Sequence, residues 1–165
     1  MTTHTADMNA PTESLSLQDT FGADTRCFGC GPANEQGLRI KSFVEGDVVV
    51  ARWRPERHHE AFDGVLNGGI CGALLDCHGN WTAAWALMLA RGLDQTPPTV
   101  TAEFHVKLRR PTPTDCELLL RAWAVAIDGD KVTIEAELVA GDKVTATCRG
   151  IFIAVHEGHP AFPRW

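Results

Sequence analysis

Residues 62–85 read FDGVLNGGICGALLDCHGNWTAAW, in which a Gly-Gly pair opens an apolar run carrying a single acid, Asp76. Asn67 is a residue type favoured at helix N-caps, so the pattern predicts a helix from about Asn67 to Leu89. Ile70, Ala73, Leu74, Cys77, Trp81, Ala84, Trp85 and Met88 recur at three and four residues and define one buried stripe. Gly72, Asp76, Gly79 and Ala83 form a second stripe of small side chains around the acid. This predicts close approach by another backbone and little solvent-facing surface. A helix N-terminus presents unpaired N–H groups at the positive end of the dipole, so Gly68 and Gly69 offer a site for a developing oxyanion. Asp76 follows about two turns later.

Before this helix, Pro55 to Leu66 is polar and reads as a loop, and LRIKSFV (38–44) and DVVVARW (47–53) read as two strands joined at Glu45-Gly46. After it come four strand-like runs: TVTAEFHVKLRR (99–110), CELLLRAWAVAI (116–127), KVTIEAELVA (131–140) and KVTATCRGIFIAV (143–155). Val100, Ala102, Phe104, Val106 and Leu108 alternate with polar residues, the period of a strand covered on one face. Asp128-Gly129 and Gly141-Asp142 are turn chemistry suited to hairpins. Two strands, one long apolar helix and four hairpin-linked strands predict an α+β architecture, an antiparallel sheet wrapped around a central helix. The helix side left uncovered predicts a symmetric dimer.

The 165 residues are 44% apolar and 22% charged, enough for one domain with a normal core. Residues 1–19 are poor in large apolar side chains and read as a flexible tail, leaving 20–165 as the single domain. The net charge of −6 argues against general nucleic-acid binding, which needs a basic footprint. No apolar run approaches the roughly 20 residues that span a bilayer, and no basic-then-apolar leader opens the chain. A cytoplasmic protein without membrane partners is therefore expected, with its six cysteines reduced. Cys27 and Cys30 form a CxxC pair, but a structural zinc site needs four ligands, and Cys71 and Cys77 are six apart within the helix. Neither a metal nor another cofactor is expected on this reading.

Three segments together resemble the hotdog-fold acyl-CoA thioesterases, especially the group containing the phenylacetyl-CoA thioesterases. They are CFGCGPANEQGL (27–38), GVLNGGICGALLDCHG (64–79) and VKLRRPTPTDCELLLRAWAV (106–125), and the likeness runs from about Arg26 to Val155. The helix entry in that family is usually His-Gly-Gly, with an acid eight residues after the first Gly. Gly68 and Asp76 keep that spacing, while Asn67 stands where the family has histidine. The resemblance also implies a structural or ligand-lining role for the CxxCG segment.

The resemblance implies hydrolysis of an acyl-CoA to free acid and coenzyme A, in a homodimer or a dimer of dimers. A Gly68 or Gly69 N–H would polarise the thioester carbonyl, an effect on the order of 3 kcal/mol per donor. Asp76 would act as general base on water or as nucleophile forming a mixed anhydride. Asn67 leaves an amide at the helix mouth, and His58 or His59 lies where the family often orients the attacking water. Asn80, one turn beyond Asp76, is placed to position water on the same face or across a dimer interface. His78 points elsewhere. Lys107, Arg109 and Arg110 are candidates to meet the phosphates of coenzyme A. Two rival readings are a hotdog hydratase or dehydratase of acyl thioesters using His58 or His59, and a non-catalytic acyl-CoA-binding dimer.

Overall fold

The computed structural model describes residues 14–162. Its centre is helix α2, Gly68–Arg91, preceded by α1 (Leu17–Phe21), β1 (Ser42–Glu45), β2 (Val48–Trp53), β3 (Glu60–Phe62) and β4 (Val65–Leu66). Strands β5 (Thr99–Leu108), β6 (Leu118–Asp128), β7 (Lys131–Ala140) and β8 (Lys143–Ala154) follow it. Six strands form one antiparallel sheet in the order β1-β2-β6-β7-β8-β5, with β3 and β4 forming a separate small pair. The helix carries the chain across the sheet, so β5 lands on the far edge and β6 returns beside β2. This is the expected hotdog architecture. No helix among the described residues is long and apolar enough to cross a membrane.

Asn67 caps α2 as its residue type predicts, and Gly92 ends it in the left-handed region at φ 61°, donating to Met88 O and Leu89 O. Leu74, Leu75, Trp81 and Leu87 of the helix join Leu118, Leu120, Ile134, Leu138 and Phe152 of the sheet in one core. Burying each of these large side chains stabilises the fold by about 2–3 kcal/mol. The small-residue stripe is met by sheet side chains rather than by a second backbone. A Cβ at Gly79 would lie 2.9 Å from Phe152 Cζ, and one at Gly150 would lie 2.6 Å from Phe152 Cε2, so two glycines make the slot for that ring.

Several local expectations give way to tertiary packing. The predicted strand from Leu38 begins only at Ser42, because Arg39 adopts φ 56° and breaks the extended run. Leu38 and Ile40 instead donate their N–H groups to Phe28 O and Gly29 O at 2.7 and 3.1 Å. The expected loop 55–66 contains a single 3-10 turn, Arg57–His59, and the β3–β4 pair. Of the tail expected over residues 1–19, residues 1–13 lie outside the described residues. Beyond them, Ser16 caps α1 and Leu17 and Gln18 are buried.

The alternation expected along β5 is interrupted by a bulge. Thr101 stands opposite Phe152 and Glu103 opposite Ile151, which leaves Ala102 as an extra residue. Thr99 and Thr101 face α2 before the bulge, bonding to Asn80 and Asp76. After it Phe104 and Leu108 face the same helix, 3.8 and 3.0 Å from the positions a Cβ would take at Gly72 and Gly68. An unbroken strand would place Thr101 and Phe104 on opposite faces.

Candidate functional site

The N-terminal turn of α2 is organised by Asn67. Its Oδ1 accepts from Gly69 N–H at 2.8 Å and Ile70 N–H at 3.2 Å, and its own N–H donates to His59 O at 3.0 Å. Of the two amides expected to bind an oxyanion, Gly69's is thus engaged by the cap. The Gly68 N–H has no hydrogen-bond partner among the described residues. The absence of a side chain at Gly68 also matters, since Leu108 Cδ1 already lies 3.0 Å from where its Cβ would be.

Asp76 sits half-buried between α2 and β5. Its Oδ1 accepts from Thr101 Oγ1 at 2.6 Å. Burial pushes its carboxyl above the usual carboxylate range, against the Thr101 hydrogen bond that favours the anion, while negative charge on Cys27 pushes the same way as burial. A desolvated carboxylate held by one donor is a stronger base than a solvated one, and its Oδ2 makes no hydrogen bond among the described residues. Thr101 escaped sequence reading because it occupied the face assigned to solvent. The Thr-x-Thr spacing at 99–101, matching Asp76 and Asn80 four apart on a helix, was its only local signal.

Asn80 is buried, its Oδ1 accepting from Thr99 Oγ1 at 2.8 Å. Its side chain belongs to the helix–strand contact. His59 is also largely buried, with Nδ1 accepting from Glu56 N–H at 2.9 Å and its ring against Trp53 and His58. Burial and the neighbouring His58 depress its pKa, which keeps it neutral. His59 reaches the site through its backbone carbonyl on Asn67. Exposed His58 lies beside Glu56.

The basic residues do not gather around Asp76. Lys107 and Arg109, with His105, Trp123, Glu135 and Arg149, line a groove of about 560 Å³. Residues 135 and 149 alternate with core residues Ile134, Ala136 and Cys148, so this groove lies on the sheet face opposite α2. Arg109 is tied there by Nε donating to Thr147 Oγ1 at 3.1 Å, and Arg149 pairs with Glu135 at 2.6 Å. Arg110 is exposed just beyond β5.

A cluster the sequence reading did not assemble lies next to Asp76. Cys77 joins Cys27 and Cys30, with the Cys27 and Cys77 sulfurs 3.6 Å apart. Thiols donated by Cys30 and Cys77 pull the Cys27 pKa down, and those of Cys30 and Cys77 rise in response. Six residues separate Cys77 from Cys71, the spacing considered in sequence, but fifty separate it from its actual neighbour Cys27.

Comparison with known proteins agrees with this architecture. No curated protein matches the chain. A thioesterase superfamily protein from Shewanella loihica PV-4 is 26% identical, with a TM-score of 0.62 over 76% of this chain and 98% of that one. Thioesterase HI1161 from Haemophilus influenzae shares the fold at 15% identity, TM-score 0.68, over 89% and 97% of the two chains. The E. coli PaaI protein from the phenylacetic acid degradation operon does so at 16%, TM-score 0.61, over 72% and 81%. The family model described as thioesterase superfamily matches residues 63–147, just over half of the chain, and spans both the Asn67 cap and the Asp76–Thr101 pair. The chain belongs to the thioesterase superfamily.

Proposed function

We propose that this protein hydrolyses an acyl-CoA thioester to the free acid and coenzyme A, with Asp76 as the base that activates water or as the nucleophile. The observation that carries this reading is the half-buried Asp76 carboxylate, held by Thr101 and raised in pKa, on the same helix as an uncommitted N–H at Gly68. A thioester carbonyl accepting from Gly68 N–H would gain strength in that bond as charge develops on its oxygen. Phe104 and Leu108, 42% and 58% exposed, would offer apolar surface to the acyl group.

Within one chain these two groups stand apart. Eight residues of helix separate Gly68 from Asp76, roughly 12 Å along the axis, whereas reacting atoms must come within about 3–3.5 Å. A second copy resolves this. Strand β5 is a sheet edge, Leu108 near its end lies against Gly68, and Thr101 near its start holds Asp76. Two copies paired antiparallel along β5 bring the Gly68 end of one beside the Asp76 end of the other, so a homodimer carries two composite sites. The pairing would also satisfy an exposed strand edge. Arg110, exposed two residues beyond Leu108 at that edge, is the cation this scheme assigns to the phosphates of coenzyme A, since Arg109 turns to the other sheet face.

The test is release of free thiol from a panel of aromatic and aliphatic acyl-CoA substrates, with hydration of an enoyl-CoA measured in parallel. Hydrolysis of at least one thioester at a mass corresponding to a dimer supports the proposal. Enoyl hydration without hydrolysis, or binding of a non-hydrolysable analogue without turnover of any thioester, overturns it.

Thr101 is a positioning residue in this scheme. Thr101→Val removes the donor that holds and stabilises the Asp76 anion, and should lower kcat about tenfold or more with little change in KM. Because that hydrogen bond favours the charged form, the acid limb of the pH–rate profile should also move to higher pH, and Thr101→Ser should restore both. A lowered rate with an unmoved acid limb would show that Thr101 is merely structural.

A further inference from the structure

Cys27, Cys30 and Cys77 place three sulfur atoms within 4.8 Å of one another, and the thioester chemistry proposed above uses none of them. The chain is shaped to make this contact. A Cβ at Gly29 would lie 2.3 Å from Cys77 Sγ, so only glycine lets the 27–31 turn rest directly on α2 at that residue. A Cβ at Gly31 would lie 2.4 Å from Cys27 N, and the Gly31 N–H closes the turn on Cys27 O at 2.8 Å. Leu38 and Ile40 brace the turn through Phe28 O and Gly29 O. Trp81 Nε1 donates to Cys30 Sγ at 3.3 Å, the kind of outer contact that orients a thiolate ligand.

Thiolates bound to a tetrahedral zinc ion at about 2.3 Å stand roughly 3.8 Å from each other. The Cys27–Cys77 separation of 3.6 Å matches that edge. We propose that Cys27, Cys30 and Cys77 form a three-thiolate binding site for a thiophilic d10 cation, Zn2+ being the ion to test. Uptake forms three sulfur–metal bonds and releases to solvent the protons that the ligating thiols still carry. Cys27 is the exposed member, so the fourth position opens on its side and is filled by water or a soluble donor. Two ligands come from the turn and one from α2, so the ion would pin that turn to the helix at the residue following Asp76. The proposal is independent of the thioesterase reading, because neither Gly68 nor Asp76 contributes a ligand.

The experiment uses the full-length protein, reduced, treated with chelator and titrated with Co2+, then with Zn2+. The expected result is one equivalent of Co2+ with sulfur-to-cobalt charge-transfer absorption and intense tetrahedral d–d bands, displaced by Zn2+ together with a rise in Tm. Cys27→Ser and Cys30→Ser should each weaken uptake by about tenfold or more, and Cys116→Ser should leave it unchanged. Since Cys27 is exposed, its serine variant keeps the test readable even if Cys30→Ser does not fold. Absence of one-equivalent uptake, or uptake unaffected by Cys27→Ser, would overturn the proposal.

Discussion

Asp76→Asn is expected to reduce thioester hydrolysis about a thousandfold, within the range typical of losing a general base, while leaving the protein no less stable. Asparagine keeps the shape of the side chain and its oxygen can still accept from Thr101, but it can neither take a proton nor attack. Stability moves the other way. Burial holds the Asp76 pKa above that of an unfolded carboxylate, so the folded chain binds a proton more tightly than the unfolded one. Stability therefore declines as pH rises from the unfolded value through the folded one, and at neutral pH the native protein bears the cost of a desolvated charge. The neutral amide removes that cost. Activity assays alongside urea denaturation at pH 7 check both halves. Near-native turnover would remove Asp76 from the chemistry, and a large drop in stability would mean that its role is structural.

His78→Ala is expected to destabilise the fold by about 3–4 kcal/mol. His78 is fully buried in α2 and joins three distant segments. The carbonyl of Val49 can only accept, so His78 Nε2 donates to it at 2.9 Å and Nδ1 is left to accept from Ser42 Oγ at 2.8 Å. Ser42 in turn accepts from Gln18 Nε2 at 2.9 Å and donates its N–H to Gln18 Oε1 at 2.8 Å. Alanine leaves a cavity and strips Val49 and Ser42 of partners at once. The pH dependence gives a separate signature. Burial holds the imidazole down to about 4 from its ordinary 6.5, so it folds neutral. Its contribution is whole above 6.5 and is lost as pH falls from 6.5 toward about 4, an effect on the order of 3 kcal/mol. The acid-side loss should shrink in His78→Ala. A denaturation midpoint unchanged from the native protein would show that the Gln18–Ser42–His78 chain does not support the fold.

Much of this molecule was legible along the chain. The helix at 68–91 was announced by an N-cap residue and an apolar stripe, and β7 by eight residues of alternation from Lys131 to Leu138. These are local signals, set by backbone periodicity and by what each side chain does to its own turn. The candidate site was legible only in part. Asp76 was conspicuous as the lone acid in an apolar helix. Its partner Thr101 was not, because the bulge at Ala102 that turns both Thr101 and Phe104 toward the helix is fixed by pairing with β8. Nor did the sequence show that the Asn67 side chain would engage the Gly69 amide and leave Gly68 as the available donor.

By itself, the sequence determined the long helix, the six strands of the main sheet, their order and the residue on which the proposed chemistry rests, because a period of two or of 3.6 residues needs only near neighbours to declare itself. Tertiary structure alone decided which of those elements meet. It brought Cys27 and Cys30 to Cys77 across fifty residues, placed Lys107 and Arg109 on the sheet face away from Asp76, and held His78 between α1, β1 and β2. Such contacts are set by strand register, by a bulge and by glycines at points of close approach. Their energies depend on groups far apart in the chain, and so leave no periodic trace in it.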